Sequence, residues 1–132
     1  MTTNIATTRE QSARLLQCGV DPETADMVWT CFESDDEQYD KLGVMDEFAY
    51  EFSALKPIPA WSLSALLNLM PRTVTHKGRT NIFGLYHEEE KDGGGWNYSC
   101  PGIVYFTGDT PFEAVIKMIE WLTANNYKLN QL

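Results

Sequence analysis

The pattern of apolar and polar positions predicts a long helix near the end of the chain. Thr110 is suited to its N-cap, Pro111 to its first turn and Glu113 to a capping box, and Asn125-Asn126 supplies a residue for a left-handed C-terminus. Five apolar residues recur at helical spacing and are expected to rest on a sheet: Phe112, Val115, Ile116, Ile119 and Leu122.

Between residues 73 and 107 the pattern changes to short alternations that are typical of antiparallel strands. Turns that contain glycine or proline separate these stretches. In one of them, Trp96, Tyr98 and Cys100 alternate with polar residues, so we expect that strand to have one buried face and one solvated face. The predicted strands are 73–75, 80–88, 96–100 and 103–107.

The first third of the chain carries signals for a helix, a short helical turn and a hairpin. Thr7 and Glu10 have the spacing of a capping box, and Gly19 is suited to end the helix that they begin. Asp21-Pro22 has the sequence of an N-cap followed by proline, which opens the helical turn. Extended stretches over 27–32 and 39–44 then predict a β-hairpin.

The centre of the chain is less regular. The apolar residues of 45–55 mix a period of two with a period of three to four, so their pattern does not distinguish a helix from a strand. Pro57 and Pro59 are expected to break any regular element. Ser62 is a suitable N-cap for a short helix over 63–70.

Together these elements predict an α+β fold. It would contain an antiparallel sheet of about four to five strands in hairpin or meander order. An N-terminal helix, a central short helix and a long C-terminal helix would pack on the sheet. A chain of 132 residues can form one core, so we expect a single domain over 1–132, with 1–6 as a disordered tail.

Charge is distributed unevenly along the chain. Of the net −9, residues 21–51 hold eleven acidic side chains against the single Lys41, whereas residues 52–79 hold four cations and no carboxylate. Proteins that bind the phosphate backbone of nucleic acids need Lys and Arg side chains, so the negative net charge argues against a nucleic-acid-binding function. A long apolar run and a secretory leader are both missing from the sequence, and this predicts a cytoplasmic protein with no membrane partner.

Residue types that support catalysis do not fall into a recognised motif. Cys18, Cys31 and Cys100 are widely spaced and fit free thiols, and only His76 and His87 are present as bases. Residues 36–47 resemble a calcium loop in part, but the glycine position holds Lys41. The triple glycine at 93–95 precedes a predicted strand and therefore fits a hairpin turn better than a phosphate loop. We expect no enzyme activity, cofactor or metal.

The function favoured by the sequence is a non-enzymatic binding or accessory protein that contacts a protein partner through its acidic segment, residues 21–51. Tryptophans add rigid contact area to such interfaces. The candidate partner-binding residues are Glu33, Asp35, Asp36, Glu37, Asp40, Trp61 and Trp96.

Three alternatives remain open. The first is a small ligand-binding protein or enzyme with a pocket between the sheet and the C-terminal helix. The second is an acidic mimic of nucleic acid. The third is a nucleic-acid binder that uses Arg72, Lys77 and Arg79, although the acidity of the chain makes nucleic acid an unfavoured partner.

Three stretches resemble those of a group of small uncharacterised proteins of gut anaerobic bacteria, encoded on prophage-like and other mobile elements. The resemblance implies a mobile-element context and no activity. The stretches are 9–16 with 19–20 and 24–27, then 59–67, then 113–114 with 119–122 and 127–129.

Reversing charge in the acidic segment tests the favoured function. Replacing Asp35, Asp36, Glu37 and Asp40 with lysine should abolish capture of a basic protein partner, because attraction between the two surfaces becomes repulsion. Binding in a pull-down across a salt series measures the effect. A partner that binds both proteins with the same salt dependence would refute the idea.

Overall fold

A computed structural model describes residues 5–30, 41–44, 57–88 and 95–131. It shows an α+β protein with three helices and three antiparallel sheets among these residues. The chain divides into two compact units, Met1–Ala65 with Gln131–Leu132, and Leu66–Asn130. In the part described, none of the helices is long and apolar enough to cross a membrane.

The first unit begins with helix α1, Arg9–Gln17. A 3-10 turn over Pro22–Thr24 follows, capped by the Asp21 carboxylate as the sequence predicts. The strands are β1, Met27–Thr30, β2, Lys41–Val44, and β3, Ile58–Ala60, in the order β2-β1-β3.

The predicted hairpin is confirmed, because β1 and β2 pair antiparallel with Met27 opposite Val44. The prediction that proline breaks regular structure here is wrong for Pro59, since β3 pairs with β1 and places Pro59 opposite Val28. Pro57 lies just before β3, outside any regular element. Proline is tolerated at the edge of a sheet, where its missing N–H group need not join a ladder.

Helix α1 starts one residue later than the sequence predicts. Its N-cap is Thr8, and Gln11 completes the capping box in place of Glu10. Thr7 is not available for this role because it is fully buried and bonded elsewhere. At the other end Gly19 has a φ of +90°, as predicted for a left-handed terminus, and Val20 N–H donates to the Leu15 carbonyl.

Thr7 is the centre of a buried hydrogen-bond network in this unit. Its N–H donates to the Trp61 carbonyl over 2.9 Å, and its hydroxyl accepts from the Trp61 N–H over 3.0 Å. The same hydroxyl lies 2.8 Å from the Ser12 hydroxyl, and the Thr7 carbonyl accepts from the Trp29 indole. One residue therefore connects the segment before α1 with β1 and with the residue that follows β3.

Helix α2, Leu63–Asn68, lies at the division between the two units. Its predicted cap is confirmed, since the Ser62 hydroxyl accepts from the Ala65 N–H over 3.1 Å. Asp26 holds this cap in place by accepting both the N–H and the hydroxyl of Ser62. The helix ends two residues before the predicted boundary.

The second unit contains two further sheets and helix α3, Pro111–Ala124. Strands β4, Val74–His76, and β5, Arg79–Asn81, form a hairpin. Strands β6, Gly84–Glu88, β7, Gly95–Cys100, and β8, Val104–Gly108, form the third sheet in that order.

The predicted single meander is therefore replaced by sheets of three, two and three strands among the described residues. The predicted strand over 80–88 is broken at Ile82-Phe83, where the Asn81 carboxamide oxygen accepts the Ile82 N–H. The Asn81 amide also donates to the Pro101 carbonyl over 2.9 Å. Side-chain bonds thus join the β4–β5 hairpin to the β7–β8 turn where a backbone ladder was expected.

Helix α3 has the ends that the sequence predicts. The Thr110 hydroxyl accepts the Glu113 N–H over 3.2 Å, and Asn126 has a φ of +65° after the last turn. The Tyr127 N–H returns to the Leu122 carbonyl, which completes a Schellman motif. The five residues of the predicted apolar stripe are all buried, and α3 packs on β7 and β8 as expected.

Two predictions about domain organisation stay predictions. The structure does not test whether residues 1–132 form one domain, although it separates two compact units. Residues 1–4 of the predicted tail lie outside the described residues, and Ala6 within it is buried.

Replacing Thr7 with valine tests the buried network. The change keeps the shape of the side chain but leaves the Trp61 N–H and the Ser12 hydroxyl without this partner, so the free energy of unfolding should fall by about 1–3 kcal/mol. Thr7→Ser keeps the hydroxyl and is the matched control. Urea unfolding followed by tryptophan fluorescence measures both, and equal stability of the valine variant and the unmodified protein would contradict the role of the hydroxyl.

Candidate functional site

The β6–β7–β8 sheet is covered on one face and open on the other. Tyr98 and Cys100 of β7 are buried on the face that α3 covers. Gly108 permits close contact there, because a Cβ at this position would lie 2.8 Å from the Ala114 nitrogen. Residues that alternate with this buried set point to the other side of the sheet.

The strand register places three cross-strand rows on the open side. Residues directly opposite one another share a face. Glu88 and Gly95 form the row at the end of the sheet. The other rows are Gly84 with Ser99 and Tyr105, and Tyr86 with Asn97 and Thr107. We call the six residues of these two rows the open sheet face.

Two tyrosines stand at opposite sides of this face. Tyr86 is 50% exposed and Tyr105 is 66% exposed, which is unusual for large aromatic side chains in a folded domain. A Cβ at Gly84 would lie 2.8 Å from Cζ of Tyr86 and nearer still to its hydroxyl. The Tyr86 ring therefore lies over Gly84, in the same row as Tyr105 and with Ser99 between them.

Polar side chains form the floor between the tyrosines. The side chains of Asn97, Ser99 and Thr107 make no hydrogen bond to any described residue, and no polar atom of this part of the structure is buried without a partner. Thr107 is exposed and Ser99 is partly exposed, so their hydroxyls are open to a ligand. Asn97 is 9% exposed, and its amide atoms still reach the surface because none of them is buried without a partner. They border an open groove of about 730 Å³.

The groove has no charged lining among the described residues. Its lining residues from the β7–β8 turn include Pro101 and Gly102, which the neighbouring hairpin holds. Arg79 donates to the Gly102 carbonyl over 3.4 Å, beside the bond from Asn81 to Pro101. The guanidinium thus contacts the turn, and Arg79 is not among the lining residues of the groove.

The structure places the candidate partner-binding residues in three different situations. Trp61 is fully buried, and its indole donates to the Thr24 hydroxyl, so its side chain offers no surface to a partner. Trp96 is half-buried on β7 beside His87, with ring centroids 4.9 Å apart. The acidic candidates, Glu33, Asp35, Asp36, Glu37 and Asp40, lie outside the described residues.

The sequence predicts a ligand pocket between the sheet and the C-terminal helix, whereas the groove of the structure borders the other face of the sheet. The α3 side chains that face the sheet, such as Val115, Ile116 and Ile119, are apolar and fully buried, and the groove lies on the opposite side of the sheet. His87, the histidine expected near such a pocket, is exposed on β6.

His76 belongs to an aromatic cluster at the end of β4. Its Nδ1 lies 2.6 Å from the Tyr127 hydroxyl, which itself donates to the Thr75 carbonyl over 2.9 Å. A phenol has one proton to donate, so His76 Nδ1 is the donor to Tyr127. Trp121 packs edge-on against His76 and stacks on Tyr127. The cluster fastens the end of α3 to β4.

The described thiols and phenols do not resemble an activated nucleophile. Burial raises the pKa of the Cys100 thiol, which disfavours the thiolate. Burial, assisted by Cys100, raises the pKa of the Tyr98 phenol. Cys18 is the C-cap of α1, and Cys31 lies outside the described residues. No group of three or more potential metal ligands occurs in the described ranges.

Sequence reasoning missed Tyr86 and Tyr105 as site residues. The alternation in β7 predicts a solvated face, and its polar residues are found there, although Asn97 is only 9% exposed. Placing the two tyrosines on that face requires the pairing of β7 with both neighbours, and no local pattern supplies that register.

Alkaline unfolding tests the burial of Tyr98. Because burial raises its pKa in the folded state, the neutral phenol contributes stability that is fully present below the ordinary tyrosine pKa of about 10 and is lost as pH rises above it. The free energy of unfolding in urea should therefore fall as the pH rises from about 9 to about 11. The fall should be less steep in the Tyr98→Phe variant than in the unmodified protein. Parallel slopes for the two proteins would contradict this assignment.

Comparison of the chain with protein-family models, with curated proteins and with solved structures finds no match.

Proposed function

We propose that this chain is a non-catalytic binding protein and that it holds its ligand on the open sheet face. The observation that carries the proposal is the pair of exposed tyrosines, Tyr86 and Tyr105, on either side of polar side chains that have no partner among the described residues. Binding sites combine aromatic surface with a few convergent polar groups in this way.

Three features of the surroundings support a binding role. The face is built on strands of a sheet that α3 buries from behind, so its side chains have fixed positions. The β7–β8 turn at the groove is held by Arg79 and Asn81. None of the described lining residues of the groove is a carboxylate, a histidine or a cation, which suits binding better than acid–base chemistry.

The acidic segment over 21–51 stays a separate proposal for a protein partner. Two of its described acidic residues have structural roles: Asp21 caps the 3-10 turn, and Asp26 anchors Ser62. The proposed groove and the acidic segment can therefore be tested with independent sets of variants.

Removing both tyrosine rings tests the location of the site. In a Tyr86→Ser/Tyr105→Ser variant, ligands that perturb the backbone amide resonances of β6, β7 and β8 in the unmodified protein should lose affinity by about tenfold or more. Titrations followed by NMR, with oligosaccharides, a proline-rich peptide and single-stranded RNA, measure this effect. The fold should persist because both side chains are exposed.

Val44→Ser is the matched control, because Val44 is an exposed apolar strand residue of the other unit. It should leave these affinities unchanged. The proposal fails if ligand-induced shifts fall outside the third sheet, or if the double variant binds as well as the control.

A further inference from the structure

The open sheet face is suited to a ligand without charge. None of the described groove-lining residues is ionic, and Arg79, which donates to the Gly102 carbonyl, is not among them. A phosphate backbone or a carboxylate would lose its hydration here without gaining a cation. The occupant therefore has polar groups that are neutral.

Tyr86 presents a flat aromatic platform. The hydroxyl end of its ring lies over Gly84, and half of the side chain is exposed, so aromatic surface is open to solvent beside the sheet. The face of an aromatic ring carries partial negative charge, which attracts C–H groups of partial positive charge. The C–H face of a sugar ring has this charge distribution and is also flat.

The spacing of the tyrosines indicates more than one sugar unit. Tyr105 lies across β7 from the position that the Tyr86 ring covers. Two strand spacings separate β6 from β8, which is roughly 10 Å. This separation is comparable to the length of a disaccharide, so the two rings can stack on sugar units that are not adjacent.

The polar floor matches hydroxyl groups. The side chains of Asn97, Ser99 and Thr107 can each donate and accept a hydrogen bond, as sugar hydroxyls do. An extended peptide would bring a donor and an acceptor with every residue, and three side chains cannot satisfy a buried segment of that kind. The floor therefore favours a saccharide over a peptide.

We infer that the open sheet face binds a neutral oligosaccharide, with sugar rings stacked on Tyr86 and Tyr105 and hydroxyls bonded to Asn97, Ser99 and Thr107. The inference rests on the proposed function and adds the chemical class of the ligand. It also implies that a single sugar, which reaches only one platform, binds more weakly than a chain.

Variants of Tyr86 and Gly84 test the inference. Their affinities for cellohexaose, maltohexaose and chitohexaose are measured by NMR titration. Tyr86→Phe retains the ring and should bind the best of these ligands within about twofold of the unmodified protein, whereas Tyr86→Ser should bind it about tenfold more weakly. Gly84→Ala retains Tyr86 but places a methyl group where its ring lies, and should weaken binding by several fold. A merely structural role for Tyr86 would not produce this order.

The comparison ligands are glucose, a single-stranded oligouridylate and a proline-rich peptide. Glucose should bind about tenfold more weakly than the hexasaccharide, and circular dichroism should show each variant folded. The inference is overturned if no hexasaccharide perturbs the open sheet face at roughly 10 mM, a concentration that detects millimolar affinity. If RNA or peptide alone perturbs this face, the ligand class is wrong but the proposed function stands; shifts confined to other residues overturn both.

Discussion

Burial of one face of α3 on β7 and β8 is the constraint that organises the second unit. The fully buried residues of α3 require an apolar partner surface, and the sheet supplies it from alternate positions of its strands. Side chains of a strand alternate strictly, so the residues between them must face the other way. The open sheet face is therefore a consequence of how the helix is buried.

Two glycines shape the opposite faces of this sheet. Gly108 allows the first turn of α3 to approach β8, and Gly84 leaves room for the ring of Tyr86. Without the first, the helix could not cover the sheet closely. Without the second, the Tyr86 ring could not lie over β6. Small residues thus decide both how the sheet is covered and what it presents.

The first unit depends on a polar constraint. Thr7 is fully buried, and its backbone and hydroxyl groups are satisfied by Trp61, Ser12 and Trp29. A buried polar residue is tolerated only when its groups are paired, so these bonds fix the position of the segment that enters α1. The same demand moves the helix cap from Thr7 to Thr8.

The sequence by itself determined the elements whose signals are local. The caps of α3, the left-handed ends at Gly19 and Asn126, and the β1–β2 hairpin follow from side-chain chemistry within a few residues. Tertiary structure decided what depends on distant partners: the strand at Ile58–Ala60, the shift to Thr8, the division into three sheets and the placement of Tyr86 and Tyr105 on one face of the third sheet. Strand register is set by contacts between segments far apart in sequence, and such contacts leave no periodic signal in either segment alone.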